Sequence, residues 1–195
     1  MSKLKLLNQL KKDFSDCKLC PELVKCRKNI VFGVGNPETA KFMIIGEAPG
    51  AKEDQLNEPF VGKSGQVLNK LLESVNLKRE EVYITNTILC HPPKNRNPNK
   101  KELHNCRTRL NQQIKIIDPK IIVTLGNFST RYMLESKEGI TKLRGNIIEK
   151  NGIKILPTFH PAVLLYSGMN PKKVKIIEND LRKVADLIHR KTLNK

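Results

Sequence analysis

The sequence predicts an α/β protein, a three-layer α/β/α sandwich around a small, mostly parallel central sheet, and three observations carry that prediction. Short apolar runs at 42–45, 82–89 and 121–125 alternate with stretches whose apolar residues recur at helical spacing. The first two runs empty into segments rich in Gly, Pro or Asn, as strands do where they open into loops at one end of a sheet. The third observation is size. A chain of 195 residues buries about 70% of the surface its unfolded form exposes, which suits one domain, expected here to span residues 1–195 with a cysteine-bearing N-terminal arm.

Taken in order, Leu4, Leu7, Leu10 and Phe14 mark an amphipathic helix from about Ser2 to Ser15 that delivers the chain to Cys17. Phe42 to Ile45 reads as a buried strand ended by Gly46 and Pro49. Ser64 is placed to cap a helix with the stripe Val67, Leu68, Leu71, Leu72 and Val75, and Val82 to Leu89 follows as a second strand. The Pro and Asn cluster from Pro92 to Asn99 is a polar loop before a long helix marked by Leu103, Cys106, Leu110, Ile114 and Ile117. Ile121 to Leu125 is a third strand, 127–135 a helix, and Asn151-Gly152 a tight turn between 146–150 and 153–156. Asn170-Pro171 opens the last helix, whose core face is Val174, Ile177, Leu181, Val184 and Ile188.

The charge balance points to a partner. Lys and Arg number 36 against 19 Asp and Glu, a net charge of +17, and such an excess favours a polyanion, nucleic acid ahead of an anionic membrane surface. Six Phe, three Tyr and no Trp make a long single-strand stacking platform the least expected form of that partner. No run reaches the ~18 to 20 apolar residues of a membrane span, and residues 1–20 lack a secretory pattern, so a soluble, intracellular protein with no membrane partner is expected.

Of the five cysteines, Cys17 and Cys20 form a C-x2-C pair, 69 residues separate Cys20 from Cys90, and 15 separate Cys90 from Cys106. An odd number of cysteines in a reducing compartment argues for metal ligation over disulfides. The wide spacing predicts a site closed by the fold from Cys17, Cys20, Cys90 and Cys106, holding zinc or an iron–sulfur cluster, with Cys26 left out. Gly62-Lys63-Ser64 ends like a phosphate-binding loop, but Asn57 stands where that motif needs Gly, which argues against a nucleotide triphosphatase. Gly33 and Gly35 lack the third glycine of a dinucleotide fingerprint and read as a turn.

Four loops hold the remaining candidates. Glu47, Glu53, Asp54 and Glu58 are either a hard-cation site or a solvated acidic loop. Phe60, between Pro59 and Gly62, stacks on a ligand or plugs the core, and Asn86 offers a donor and an acceptor to one edge of a base, or ends a strand as a turn residue. His160 follows the last strand, where a site histidine is expected, whereas His91, His104 and His189 read as structural or solvated. Val163, Leu164, Leu165 and Tyr166 form an apolar loop patch, either core or a wedge between base steps.

The segments GEAPGAKED (46–54), EPFVGKSGQVL (58–68), YITNTILCHPPKNRNP (83–98) and FHPAVLL (159–165), with the four cysteines, resemble a family 4 uracil-DNA glycosylase across roughly Cys17 to Leu187. The resemblance implies the same α/β/α fold and a [4Fe-4S] cluster on Cys17, Cys20, Cys90 and Cys106, mainly structural in role. It implies a uracil pocket of Glu47, Ala48 and Pro49, with Phe60 stacking on the base, Asn86 pairing with its edge, Glu53 near uracil C5 and His160 stabilising the departing uracil anion. Water activation falls to Glu47 or to backbone groups, because the position where sister enzymes carry an acidic residue is Ala48. Val163, Leu164 and Leu165 are the wedge candidates. Tyr166 stands where relatives commonly carry Arg, and Lys172, Lys173 or the loop around Lys94 and Arg96 are candidates to supply the positive charge instead.

The expected activity is hydrolysis of the N-glycosidic bond of deoxyuridine in DNA, leaving an abasic site that opens base-excision repair. The expected enzyme is a monomer in the prokaryotic cytoplasm, on the nucleoid while acting. Two competing readings are a non-catalytic, metal-stapled DNA-binding module and a relative specific for another damaged base.

Overall fold

A computed structural model describes residues 1–189. Its centre is a five-stranded sheet built from β1 (Phe42–Gly46), β2 (Val82–Asn86), β3 (Ile121–Leu125), β4 (Ile148–Lys150) and β5 (Ile153–Thr158), in the order β2-β1-β3-β5-β4. β1, β2, β3 and β5 run parallel, and β4 pairs antiparallel with β5. Strands buried on both faces need continuous apolar runs, which is why FMIIG, VYITN and IIVTL look as they do.

Alternation along β1 divides the core in two. Phe42 and Ile44 join Val67, Leu68, Leu71 and Leu72 of α4 (Lys63–Ser74) and Ile177, Leu181 and Val184 of α9 (Pro171–His189). Met43 and Ile45 face the other way, onto Leu7 and Leu10 of α1 (Lys3–Asp13) and Leu110, Ile114 and Ile117 of α5 (Lys100–Ile117). Two cores on one sheet make the three layers, and each fully buried Leu or Ile contributes about 1.5–3 kcal/mol.

Most boundaries follow local chemistry. Ser2 caps α1 by accepting from the Lys5 N–H, and Asn99 and Glu102 form a reciprocal capping box at the start of α5. Asn151 (φ 52°) and Gly152 (φ 75°) turn β4 into β5. Asn170 Oδ1 accepts from the Lys172 N–H where α9 begins.

The structure corrects several expectations. The second strand ends at Asn86, not Leu89, because its neighbour β1 ends at Gly46, and the Thr87 and Ile88 N–H groups bond to the carbonyls of Gly46 and of Glu47 in the loop that follows. α4 starts at Lys63 with Gly62 as its cap, so Ser64 lies inside the first turn and caps nothing. Four short helices occupy stretches expected to be irregular: α2 (Pro21–Cys26), α3 (Ala51–Leu56), α7 (Ile140–Leu143) and α8 (Ala162–Tyr166). Each is too short for a helical period to show in sequence. α6 (Gly126–Leu134) matches its expectation within a residue. Among the described residues, no helix is long and apolar enough to cross a membrane.

Candidate active site and cysteine centre

The parallel strands β1, β2 and β5 all end on the same edge of the sheet, with Gly46 beside Asn86 and Thr158 beside Leu125. The loops leaving those ends surround a cavity of about 410 Å³ whose wall includes Ala48, Gly50, Lys52, Glu53, Phe60, Asn86, Asn95 and His160. Sequence-distant segments thus converge where ligands bind in open parallel sheets.

Phe60 is held in a left-handed backbone conformation (φ 56°) that is costly for a bulky residue. Two features brace it. Glu53 Oε1 accepts the N–H groups of Val61 (3.1 Å) and Gly62 (2.8 Å). Gly65 on α4 lies so close that a Cβ there would sit 1.8 Å from the Phe60 carbonyl oxygen. The Phe60 ring is tilted 34° against the His160 ring with centroids 5.8 Å apart. Gly46 is equally constrained, since a Cβ would fall 2.4 Å from Asn86 Oδ1 and 2.8 Å from the Phe60 ring.

Asn86 is 1% exposed, and its Oδ1 is a buried acceptor without a hydrogen-bond partner. Such an oxygen costs about 1–3 kcal/mol unless a partner satisfies it, and here it lies at the wall of a cavity that admits one. Burial pushes the His160 pKa down to about 4 despite the nearby Glu53 charge, so the imidazole is neutral at physiological pH. Its Nδ1 accepts from the Ala162 N–H at 3.2 Å, which leaves the proton on Nε2. Burial alone lifts Glu47 to about 7. Ala48, Glu53, Phe60, Asn86 and His160 line the cavity, whereas Glu47 and Pro49 belong to the same loop without forming its wall.

The acidic loop is not a cation site. Asp54 accepts from the Lys28 and Asn29 N–H groups, Glu53 is committed to Val61 and Gly62, and Glu58 lies 4.0 Å from Arg79. The apolar patch is helix α8 rather than a loop, and Leu164 is fully buried in the core, so it cannot serve as an exposed wedge. Val163 packs partly buried against that core. Leu165 (38%) and Tyr166 (90%) present the exposed apolar surface.

The cysteines come from four places: Cys17 after α1, Cys20 at the head of α2, Cys90 beyond β2, and Cys106 within α5. Cys20 senses the charges of Cys106 and Cys17, Cys90 senses the same two, and burial pushes the Cys90 thiol up to about 11. Arg27 Nη1 donates to Cys90 Sγ (3.0 Å), and Asn105 Nδ2 donates to Cys20 Sγ (3.3 Å). Among the described residues, no three His, Cys, Asp or Glu side chains close tightly enough to hold a single metal ion. Cys26 is exposed and donates to the Glu22 carbonyl, apart from the other four.

Sequence reasoning missed Arg109 and Gln113. Both are fully buried on α5, and Arg109 donates to the Asn86 and Thr87 carbonyls. Their only signal was two polar residues flanking the apolar stripe of that helix. Asn95, also unforeseen, lines the cavity while its Oδ1 lies 2.9 Å from His91 Nε2.

Residues 32–182 match the family model of the Uracil DNA glycosylase superfamily. The chain is 45% identical over 186 residues to the Type-4 uracil-DNA glycosylase of Saccharolobus solfataricus, covering 91% of this chain and 84% of that protein. It is 42% identical over 190 residues to that of Sulfurisphaera tokodaii (93% and 84%) and 36% identical over 193 residues to that of Archaeoglobus fulgidus (95% and 94%). With the family model spanning most of the chain and these relatives aligned over nine-tenths of it or more, the chain belongs to the uracil-DNA glycosylase superfamily and to its type-4 branch.

Proposed function

We propose that this protein hydrolyses the N-glycosidic bond of deoxyuridine in DNA, releasing uracil and leaving an abasic site for base-excision repair. The observation that carries the reading is the unpartnered, buried Asn86 Oδ1 beside the Phe60 ring. Uracil supplies what this oxygen lacks, the N3–H donor, while the Asn86 amide NH2 meets the neighbouring O4 and the ring stacks on Phe60. Cytosine has no proton at N3 and an amino group at C4, so it opposes both halves of the Asn86 amide.

Bond cleavage develops positive charge on the sugar and negative charge on uracil, mostly at O2. His160 offers Nε2–H to that oxygen as a neutral donor, the form its lowered pKa enforces. A neutral imidazole stabilises the anion without holding a net charge in a buried pocket beforehand. Glu47, on the loop that carries Ala48 into the cavity wall and with its pKa raised to about 7 by burial, is our candidate to orient and deprotonate the attacking water at the edge of the cavity. Glu53 braces the Phe60 loop at the cavity wall, and we propose that it crowds a 5-methyl group and so disfavours thymine.

The target base must leave the duplex to reach this cavity, at a cost of a few kcal/mol. Leu165 and Tyr166, with Val163 behind them, are the surface proposed to fill the gap. Lys52 and Lys63 at the cavity supply positive charge toward the phosphates.

Cys17, Cys20, Cys90 and Cys106 would hold a [4Fe-4S] cluster, which ties the N-terminal arm to α5 and the segment after β2. Four cysteines from the N-terminal arm, the segment after β2 and α5, whose charges act on one another and whose Cys90 and Cys20 sulfurs receive N–H donors from Arg27 and Asn105, support the cluster. A DNA substrate would place its action on the nucleoid, in the cell interior.

Incubating the protein with uracil-containing duplex and cleaving abasic sites with alkali tests the reading. Scission at uracil alone is expected. Tight binding without scission would leave a DNA-binding module, and scission at another damaged base would reassign the specificity.

A further inference from the structure

Arg109 presents an electrostatic problem. Its side chain is fully buried, yet its hydrogen-bond acceptors are uncharged: Nη2 donates to the Asn86 (3.0 Å) and Thr87 (2.9 Å) carbonyls, and Nη1 to Gln113 Oε1 (2.7 Å) and Thr85 Oγ1 (3.3 Å). Nε–H has no conventional partner. Burying a guanidinium is costly unless its donors are held by well-placed acceptors, and here four of them surround it. Cys106 lies one turn earlier on the same helix, so Arg109 stands between one of the four cysteines and the end of β2.

The same guanidinium grips the two residues at the end of β2, one of which carries the unpartnered pocket amide. One guanidinium nitrogen donating to two consecutive carbonyls, while the other is held by Gln113 and Thr85, fixes that peptide and with it the direction of the Asn86 side chain. Gln113 locks the fork from behind, with Nε2 donating to the Phe32 carbonyl (2.9 Å) and the Tyr83 hydroxyl (3.2 Å). We propose that Arg109 is a positioning residue that joins the four-cysteine centre to the base-reading wall of the pocket, holding the Asn86–Thr87 backbone from one helical turn beyond Cys106. The inference rests on the reading of Asn86 as the residue that recognises uracil.

The test compares Arg109→Lys, Asn86→Ala and the double variant in single-turnover uracil release, together with binding to an abasic-site duplex and iron per chain. Lysine keeps the charge, but its chain is one bond shorter and it loses the Nη1 contacts to Gln113 and Thr85 that aim Nη2 at the two carbonyls. Arg109→Lys should slow uracil release about 10- to 100-fold, the usual effect of losing an outer-sphere partner. Abasic-duplex binding and iron content should stay at the wild-type level, which general unfolding would not allow. In the Asn86→Ala background the same change should add less than about twofold, because both act through one amide. Multiplying defects, unchanged release by Arg109→Lys, or iron lost in step with activity would each overturn the assignment. If Arg109→Lys does not fold, Gln113→Met removes the Nη1 acceptor from outside the pocket and carries the same expectation at smaller size. Absence of uracil release by the wild-type chain would sink the glycosylase reading, whereas release that Arg109→Lys leaves untouched would sink the Arg109 role alone.

Discussion

Glu47 links stability and catalysis through one carboxyl group, and Glu47→Gln separates them. Burial raises its pKa from 4.5 to about 7, so the folded state binds this proton more tightly than the unfolded chain does. The favourable contribution of the protonated group is complete below about 4.5 and disappears as pH rises through 7, beyond which the native state holds a partly buried charge. The displacement corresponds to about 3 kcal/mol at high pH, and solvent access to the half-buried side chain reduces it to about 1–2 kcal/mol. Glutamine keeps the shape and carries no charge, so Glu47→Gln should be more stable than wild type by that amount at pH 9 and equal to it at pH 4. Urea unfolding at pH 4, 7 and 9 reads the difference directly. Excision should behave oppositely: the wild-type rate falls as pH drops below about 7, and Glu47→Gln loses most activity and, with it, that acid limb. A stability difference independent of pH would refute the burial argument, and an unchanged acid limb in Glu47→Gln would remove Glu47 as the base.

Other expectations follow from the same geometry. His160→Ala and Asn86→Ala should each lower uracil release by about 100-fold or more while still binding DNA, since one oxyanion donor is worth about that much; full excision by both would dismantle the site, as gel-based strand scission would show. Gly46→Ala places a methyl 2.4 Å from Asn86 Oδ1 and should cost about 100-fold in kcat/KM through misplacement of the base, with the sheet intact by circular dichroism. Leu165→Ala with Tyr166→Ala should weaken excision from duplex more than from single strands, and equal losses would exclude a wedge role. Cys106→Ser should lower iron content and Tm together, whereas Cys26→Ser should change neither.

Much of this architecture is written locally. Strands buried on both faces must be apolar throughout, and helices packed on one side must repeat near every 3.6 residues, so β1, β3, α4, α5 and α9 can be located from residue order alone. The capping pair Asn99 and Glu102 and the turn at Asn151-Gly152 depend only on near neighbours and share that legibility. The motif residues Phe60, Asn86 and His160 stood out because aromatic, amide and imidazole groups at strand exits have few purely structural uses, and the resemblance supplied their roles.

Tertiary structure decided what depends on which atoms are excluded from water. Leu164 and Leu165 are chemically identical neighbours, yet one is fully buried and the other 38% exposed, a distinction set by the direction of a five-residue helix against the core. Glu53 and Asp54 look like cation ligands in sequence, and only folding brings them the backbone N–H groups that consume their charge. The tautomer of His160, the orphaned oxygen of Asn86 and the buried fork of Arg109 likewise arise from segments far apart in the chain. Local sequence determines helix, strand and turn because those are contests among neighbouring groups. The desolvation that lifts Glu47, neutralises His160 and encloses Arg109 exists only once distant segments have closed around them.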